Sequence, residues 1–297
     1  VITDADDDLI FNYDADNTAV TNSALTTKFT IKGGAGDDTI YGATGADTIT
    51  TGSGANVVVT GTGANVVTGG SGIDNVTGGA LIDTISTAGG ADIISAAAGN
   101  DIIDGGAGDD VITGGTGTDN ITGGDGNDTF IYANADSGGA AKDTITDFKA
   151  TVASVAGDKI QANITLALAT TTFTETDRGT AASTGEAPGN LSTTAGDYVF
   201  ITGTNTLSID LDGDGNINVN DLSIILTGET DFAEADLVYN ITTGSAATTV
   251  TLGANDDTIT GGAGADILSG GAGADSIDGG AGADIISAGA GNDTIAD

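Results

Sequence analysis

From Gly33 to Ile131 the chain repeats every nine residues without insertion or deletion. The sixth place of each unit is acidic or an amide: Asp38, Asp47, Asn56, Asn65, Asp74, Asp83, Asp92, Asp101, Asp110, Asp119 and Asp128. Two places later stands a branched or large apolar residue, from Ile40 and Ile49 through Ile112 and Ile121 to Phe130. The fullest copies follow G-G-x-G-x-D-x-U-x, with U a large apolar residue, as in Gly105–Thr113. A second block carries Asp257, Asp266, Asp275, Asp284 and Asp293, with Ile259, Leu268, Ile277, Ile286 and Ile295 at the apolar place.

Each half of a unit has its own chemistry. The glycine-rich half must turn, and glycine reaches positive φ without a Cβ penalty. The x-U-x half suits a short strand, whose middle side chain alone points inward. Two units then close a flat coil, and coils stack about 4.8 Å apart. Units n and n+2 share a side, so the sixth-place carboxylates line up in two columns. At water's dielectric constant, two charges about 5 Å apart repel by roughly 0.8 kcal/mol. A column of them calls for a cation. Carboxylates and turn carbonyls are hard oxygen ligands that suit Ca²⁺, with its roughly six to eight ligands, better than the tight octahedron of Mg²⁺. The alternative is a solenoid of solvated aspartates without metal.

These residues resemble the RTX (repeats-in-toxin) proteins. The resemblance implies an all-β parallel β-roll that binds several Ca²⁺ ions through Asp carboxylates and turn carbonyls. Paired two units apart, the implied sites join Asp74 with Asp92, Asp83 with Asp101, Asp92 with Asp110, Asp101 with Asp119, and Asp110 with Asp128. Carbonyls of Gly106, Gly108, Gly115 and Gly117 are implied ligands. The second block pairs Asp257 with Asp275, Asp266 with Asp284, and Asp275 with Asp293. Asp38 and Asp47 face Asn56 and Asn65, so sites there are expected to be weak or empty. Leu81 and Asn255 replace the fourth-place glycine, and distorted turns are expected at both.

Composition narrows the function. The net charge is −37, and all but four of the 43 acidic residues are Asp. With only six basic residues the chain has no cluster to bind phosphates, which excludes nucleic acid as a natural partner. Histidine and cysteine are absent, which excludes His-based triads, Cys nucleophiles, HExxH zinc hydrolysis and disulfides. No apolar run is long enough to span a membrane. The start at Val1 suggests a processed product or a segment of something longer.

Four regions are expected: an irregular β tail of a preceding cap (1–32), a roll of eleven nonapeptides (33–131), a β-rich cap (132–252) and a second roll of five nonapeptides (253–297). Asp143–Phe148 is similar to the segment that closes the roll in RTX proteins of the serralysin type. Residues 165–196, rich in Thr and Ala, read as long loops, and Tyr198–Ile201 as a core strand. Residues 210–221 have EF-hand-type spacing, with candidate ligands Asp210, Asp212, Asp214, Asn216 and Asp221. A hairpin between 207–209 and 223–226 is the rival reading. Asp8–Asn12 has a counterpart in Asp236–Asn240, an offset that suggests tandem units of roll plus cap.

The function expected is that of a non-enzymatic, extracellular structural protein of a bacterium: a Ca²⁺-stabilised subunit of a surface layer, filament or matrix fibre. It would self-assemble through an open roll end. The RTX resemblance implies type I secretion, with folding outside the cell. The alternative is a Ca²⁺-dependent module of a larger secreted enzyme or toxin, or an adhesin for a cell-surface glycan.

Overall fold

The structure, a computed structural model, describes residues 9–12, 28–133, 136, 142–151, 156–165, 172–181, 195–201, 206–209, 222–227, 232 and 236–296. The described residues hold twenty-six strands and no α-helix. The chain forms two compact units: residues 1–130 with 143–148, and 131–142 with 149–297. The irregular stretch after the first roll is thus divided between them.

In the first unit the nine-residue period becomes two parallel ladders. One holds Leu9–Asn12, Phe29–Ala35, Thr48–Ser53, Val66–Ser71, Thr84–Gly89, Ile102–Ala107, Asn120–Asp125 and Asp143–Ile145. The other holds Thr39–Tyr41, Val57–Val59, Asn75–Thr77, Ile93–Ser95, Val111–Thr113 and Thr129–Ala133, the last of which runs on past the unit boundary. Within the repeat, Cα partners such as Ile85↔Ile103 and Ile94↔Ile112 lie 18 residues apart, so two units make one coil. The apolar eighth-place residues from Ile40 to Phe130 are all at most 2% exposed and form the core. The ladders are unequal. In the first, the strands run on through the opening places of the next unit, whereas the second keeps short x-U-x strands in the repeat.

The last coil of this unit is closed by a near-copy of the motif. Asp143–Thr144–Ile145 docks with Ile145 opposite Ile121, a spacing of 24 rather than 18. Six inserted residues are absorbed because only the D-x-U triplet must be in register. Both carboxylate oxygens of Asp147 then accept main-chain N–H groups, from Gly123 (2.9 Å) and Gly124 (2.8 Å). Phe148 is buried with its ring centroid 6.1 Å from that of Phe130, covering the end of the core.

The second unit mixes parallel and antiparallel pairing. Lys159–Thr165, Leu237–Thr242, Thr258–Thr260, Ser276–Asp278 and Thr294–Ala296 form one parallel ladder. The other row runs Leu222–Leu226, Thr206–Ile209, Ala195–Ile201, Thr172–Ala181, Thr249–Thr251, Ile267–Ala272, Ile285–Ala290. Its first three strands are antiparallel, and the rest pair in parallel. Tyr198, Phe200, Leu207, Ile209, Leu222, Ile224 and Leu226 are buried there, with Phe232 packed on Tyr198 and Phe200.

Two expectations change. Residues 165–196 are not all loop, because Thr172–Ala181 is a ten-residue strand. Its alternating threonines favour a pleated strand, and it has a neighbour on each side, Ala195–Ile201 and Thr249–Thr251. The second parallel ladder also begins before Gly253. Thr243–Thr251 fits the nine-residue grid with Thr248 at the sixth place and buried Val250 at the eighth, opposite Leu268. Threonine hides this unit from a reading keyed on aspartate. The flanks of 210–221 are strands: Ile209 pairs with Leu222 and Leu207 with Ile224, antiparallel. The EF-hand-like ligands Asp210, Asp212, Asp214, Asn216 and Asp221 lie outside the described residues.

The turns test the backbone argument. Gly108 has φ +138°, and a Cβ there would run into the carbonyl of Gly90 one coil below. Ala97 already holds a left-handed conformation, φ +79°, where other units have glycine. Gly108→Ala is therefore expected to lower stability by at least about 2 kcal/mol. Ala97→Gly should change it by less than about 1 kcal/mol, since relief of strain is offset by the freer unfolded chain. Thermal melts in millimolar Ca²⁺ check both. Equal effects would contradict the turn assignment.

Candidate metal centre

The sixth-place side chains point between coils, and the main chain holds one of their two oxygens. In the first unit Oδ1 of each Asp accepts the N–H of the sixth-place residue one coil earlier. The distances are 2.7 Å for Asp74 to Asp92, Asp83 to Asp101 and Asp92 to Asp110, 2.8 Å for Asp101 to Asp119 and 2.9 Å for Asp110 to Asp128. The second unit repeats this for Asp257 to Asp275 (3.0 Å), Asp266 to Asp284 (2.8 Å) and Asp275 to Asp293 (3.1 Å). Every aspartate pair read from the period is therefore brought together. From Asp74 to Asp128 these carboxylates are at most 1% exposed.

The second oxygen is different. Oδ2 of Asp38, Asp101, Asp110, Asp275 and Asp284 is buried and accepts no hydrogen bond, while the Asp92 carboxylate has the Thr87 hydroxyl beside it. A buried carboxylate oxygen without a donor carries a full desolvation penalty. At Asp38, Asp110, Asp275 and Asp284 this oxygen faces the glycine at the first place of its own unit. A Cβ added at Gly105 would strike Asp110 Oδ2 and lie 2.8 Å from the Gly123 carbonyl. At Gly270 it would strike Asp275 Oδ2 and lie 2.9 Å from the Ala288 carbonyl. The glycine thus keeps clear a small cradle of hard oxygens, one from a carboxylate and one from the next coil's main chain.

Among the described residues no three acidic side chains converge on one point. The donor set is instead a carboxylate from each of two coils plus main-chain carbonyls, which is chemistry for a large, oxygen-seeking divalent ion. The carbonyls of Gly106 and Gly108 face the α-carbons of Gly124 and Gly126 one coil on. Gly115 and Gly117 repeat that turn conformation, with φ +94° and +147°. Asp47 keeps the pattern at Oδ1, which accepts the Phe29 N–H (2.8 Å), but its Oδ2 is also served, by the Ala43 N–H (2.9 Å), as Asp83 Oδ2 is by that of Gly79 (2.9 Å). Asp266 Oδ2 is met by the Thr243 hydroxyl at 3.3 Å. Sequence reading missed these hydroxyl and main-chain donors. Extending the nine-residue grid upstream to Thr243 would have found the last of them.

Burial pushes the Asp101 carboxyl up to about 6 and the Asp110 carboxyl up to about 7. N–H donation from Asp83 and Asp92 opposes the shift, and the carboxylates above and below add to it. Asp38, Asp47, Asp83, Asp92 and Asp275 are raised as well, burial being the largest cause in each.

A family described as RTX calcium-binding nonapeptide repeat (4 copies) matches the chain at residues 30–58, 50–85, 68–103, 77–112, 98–130, 242–277 and 260–295. Together these cover more than half of the 297 residues. No curated protein matches the chain.

The raised carboxyls set the pH response of the metal-free protein. A carboxyl whose pKa is higher folded than unfolded binds its proton more tightly in the fold. Its contribution is complete below about pH 4 and is lost as pH rises through 6 to 7. In EGTA the melting temperature is therefore expected to fall from pH 4.5 to pH 7.5, and millimolar Ca²⁺ should abolish the fall. A metal-free melting temperature that rises over this range would contradict the buried columns.

Proposed function

We propose, for a chain that belongs to the RTX calcium-binding nonapeptide repeat family, that its β-rolls fold on Ca²⁺ outside the cell and serve as a structural subunit of a surface layer, filament or matrix fibre. The calcium-binding β-roll is the firm ground. The observation that carries the calcium-dependent folding is the set of buried Oδ2 atoms that accept no hydrogen bond, Asp101 on one side of the roll and Asp110 on the other. When bound, the ion supplies positive charge between coils. The chain's own part is to hold Asp oxygens and turn carbonyls in place and exclude water with the aliphatic core.

Extracellular folding follows from affinity. Extracellular calcium modules bind at about 10⁻⁴–10⁻³ M, a concentration the cytosol does not reach. Binding free energy is then folding free energy. RTX repeats are typical of secreted proteins, and no helix among the described residues is long and apolar enough to cross a membrane. Type I export of the unfolded chain fits this physics.

Two features support the structural role. The sequence has no His or Cys, and most of the buried acids stand at the sixth place of the repeat. Outward seventh-place side chains also give the roll apolar contact points. Val57 and Ile93 lie on one ladder and Val66 and Ile102 on the other, each 42–52% exposed. Such side chains suit contacts between copies of the chain.

Circular dichroism of the whole chain tests the calcium dependence. Dialysis against EGTA at pH 7.5 is expected to remove most of the strand signal, and millimolar Ca²⁺, but not the same Mg²⁺, to restore it. Electron microscopy tests the assembly: ordered sheets or fibres that vanish on chelation are expected. A monodisperse monomer in millimolar Ca²⁺ would instead favour a module of a larger secreted enzyme, toxin or glycan-binding adhesin.

A further inference from the structure

The coil from Thr51 to Thr68 differs from its neighbours in the one place where the columns need charge. Its sixth-place residues are Asn56 and Asn65. A carboxylate can only accept hydrogen bonds, whereas a carboxamide both accepts and donates. Asn56 uses both functions. Its Oδ1 accepts the Asp38 N–H (2.9 Å), and its Nδ2 donates to Asp74 Oδ1 (2.8 Å) and to the Gly54 carbonyl (3.1 Å). Asn65 does the same, accepting from Asp47 N–H (2.9 Å) and donating to Asp83 Oδ1 (3.1 Å) and the Gly63 carbonyl (2.7 Å). Each amide thereby ties three successive coils.

The oxygens that an ion would otherwise serve are also met. Thr51 stands at the first place of its unit, where Gly33 and Gly69 stand one coil before and after, and its hydroxyl donates to Asp74 Oδ2 at 3.3 Å. Asp83 Oδ2 accepts the Gly79 N–H at 2.9 Å. Asp74 and Asp83 therefore have donors on both oxygens, whereas Asp101 and Asp110 do not.

We infer that residues 51–86 form a calcium-independent clamp, in which Asn56 and Asn65 replace the cation with fixed, uncharged donors. This rests on the calcium reading of the columns and deepens it: calcium dependence begins above the clamp, at residues 87–130. In a solenoid each coil touches only its neighbours, so folding can start at one stable place and spread. The clamp gives the first roll that starting place and its register before calcium arrives.

Hydrogen exchange of the full chain in EGTA at pH 7 tests this. Residues 51–86 are expected to exchange at least about tenfold more slowly than residues 87–130, because local stability sets exchange. N56D/N65D should erase the difference in EGTA, and millimolar Ca²⁺ should protect both segments in either protein. Simultaneous loss of protection in both wild-type segments would overturn the clamp and leave the calcium reading intact. So would a double variant that stays protected between 51 and 86 without calcium. Protection of 87–130 in EGTA would instead sink the calcium reading, and the clamp with it. The wild-type comparison is decisive even where the variant folds poorly.

Discussion

The fold depends on placing a polar side chain, in most units an aspartate, between stacked coils. Stacking parallel coils drives a sixth-place residue into a buried position each time. The main chain satisfies one oxygen of the side chain, because the N–H of the coil below points at it: Asp92 Oδ1 on Asp74 N, Asp110 Oδ1 on Asp92 N. The second oxygen has no main-chain donor at Asp92, Asp101, Asp110, Asp275 and Asp284. A hard divalent ion completes what the backbone cannot, and this makes the roll a calcium-responsive element rather than a constitutively stable one.

The clamp and the columns solve the same problem differently. At Asn56 and Asn65 the donor is built into the chain, always present and uncharged. Elsewhere it is borrowed from solution. The first solution needs no ligand but cannot be switched, and the second ties folding to the calcium concentration. A few fixed ties amid many conditional ones help the roll find its register.

Much of this was legible in the sequence. The eighth-place residues from Ile40 to Phe130 are the core, and every predicted aspartate pair is a stacked pair, since both follow from the period alone. The strands flanking residues 210–221 were also readable from their β-branched runs. Other features were not. Asn56 and Asn65 read as lost ligands, because a sequence shows the missing charge but not the gained N–H donors. Thr172–Ala181 read as loop, because its composition is ambiguous until neighbours on both sides offer a ladder. The unit Thr243–Thr251 escaped because Thr248 replaces the aspartate that marks the motif.

By itself the sequence determined the coil: its length, which side chains enter the core, which carry the acid, and that the ion must be a hard one. Those are consequences of periodicity and side-chain chemistry, which are local and do not depend on who stacks on whom. Only the tertiary structure decided which carboxylate oxygens the protein satisfies unaided. That depends on what the next coil presents across the gap: a glycine cradle at Gly105, a hydroxyl at Thr51, or an amide at Asn56. The Asn56–Asp74 partners are 18 residues apart, the Thr51–Asp74 partners 23, and the Gly105 cradle takes its second oxygen from Gly123, so the answer exists only once the coils are stacked.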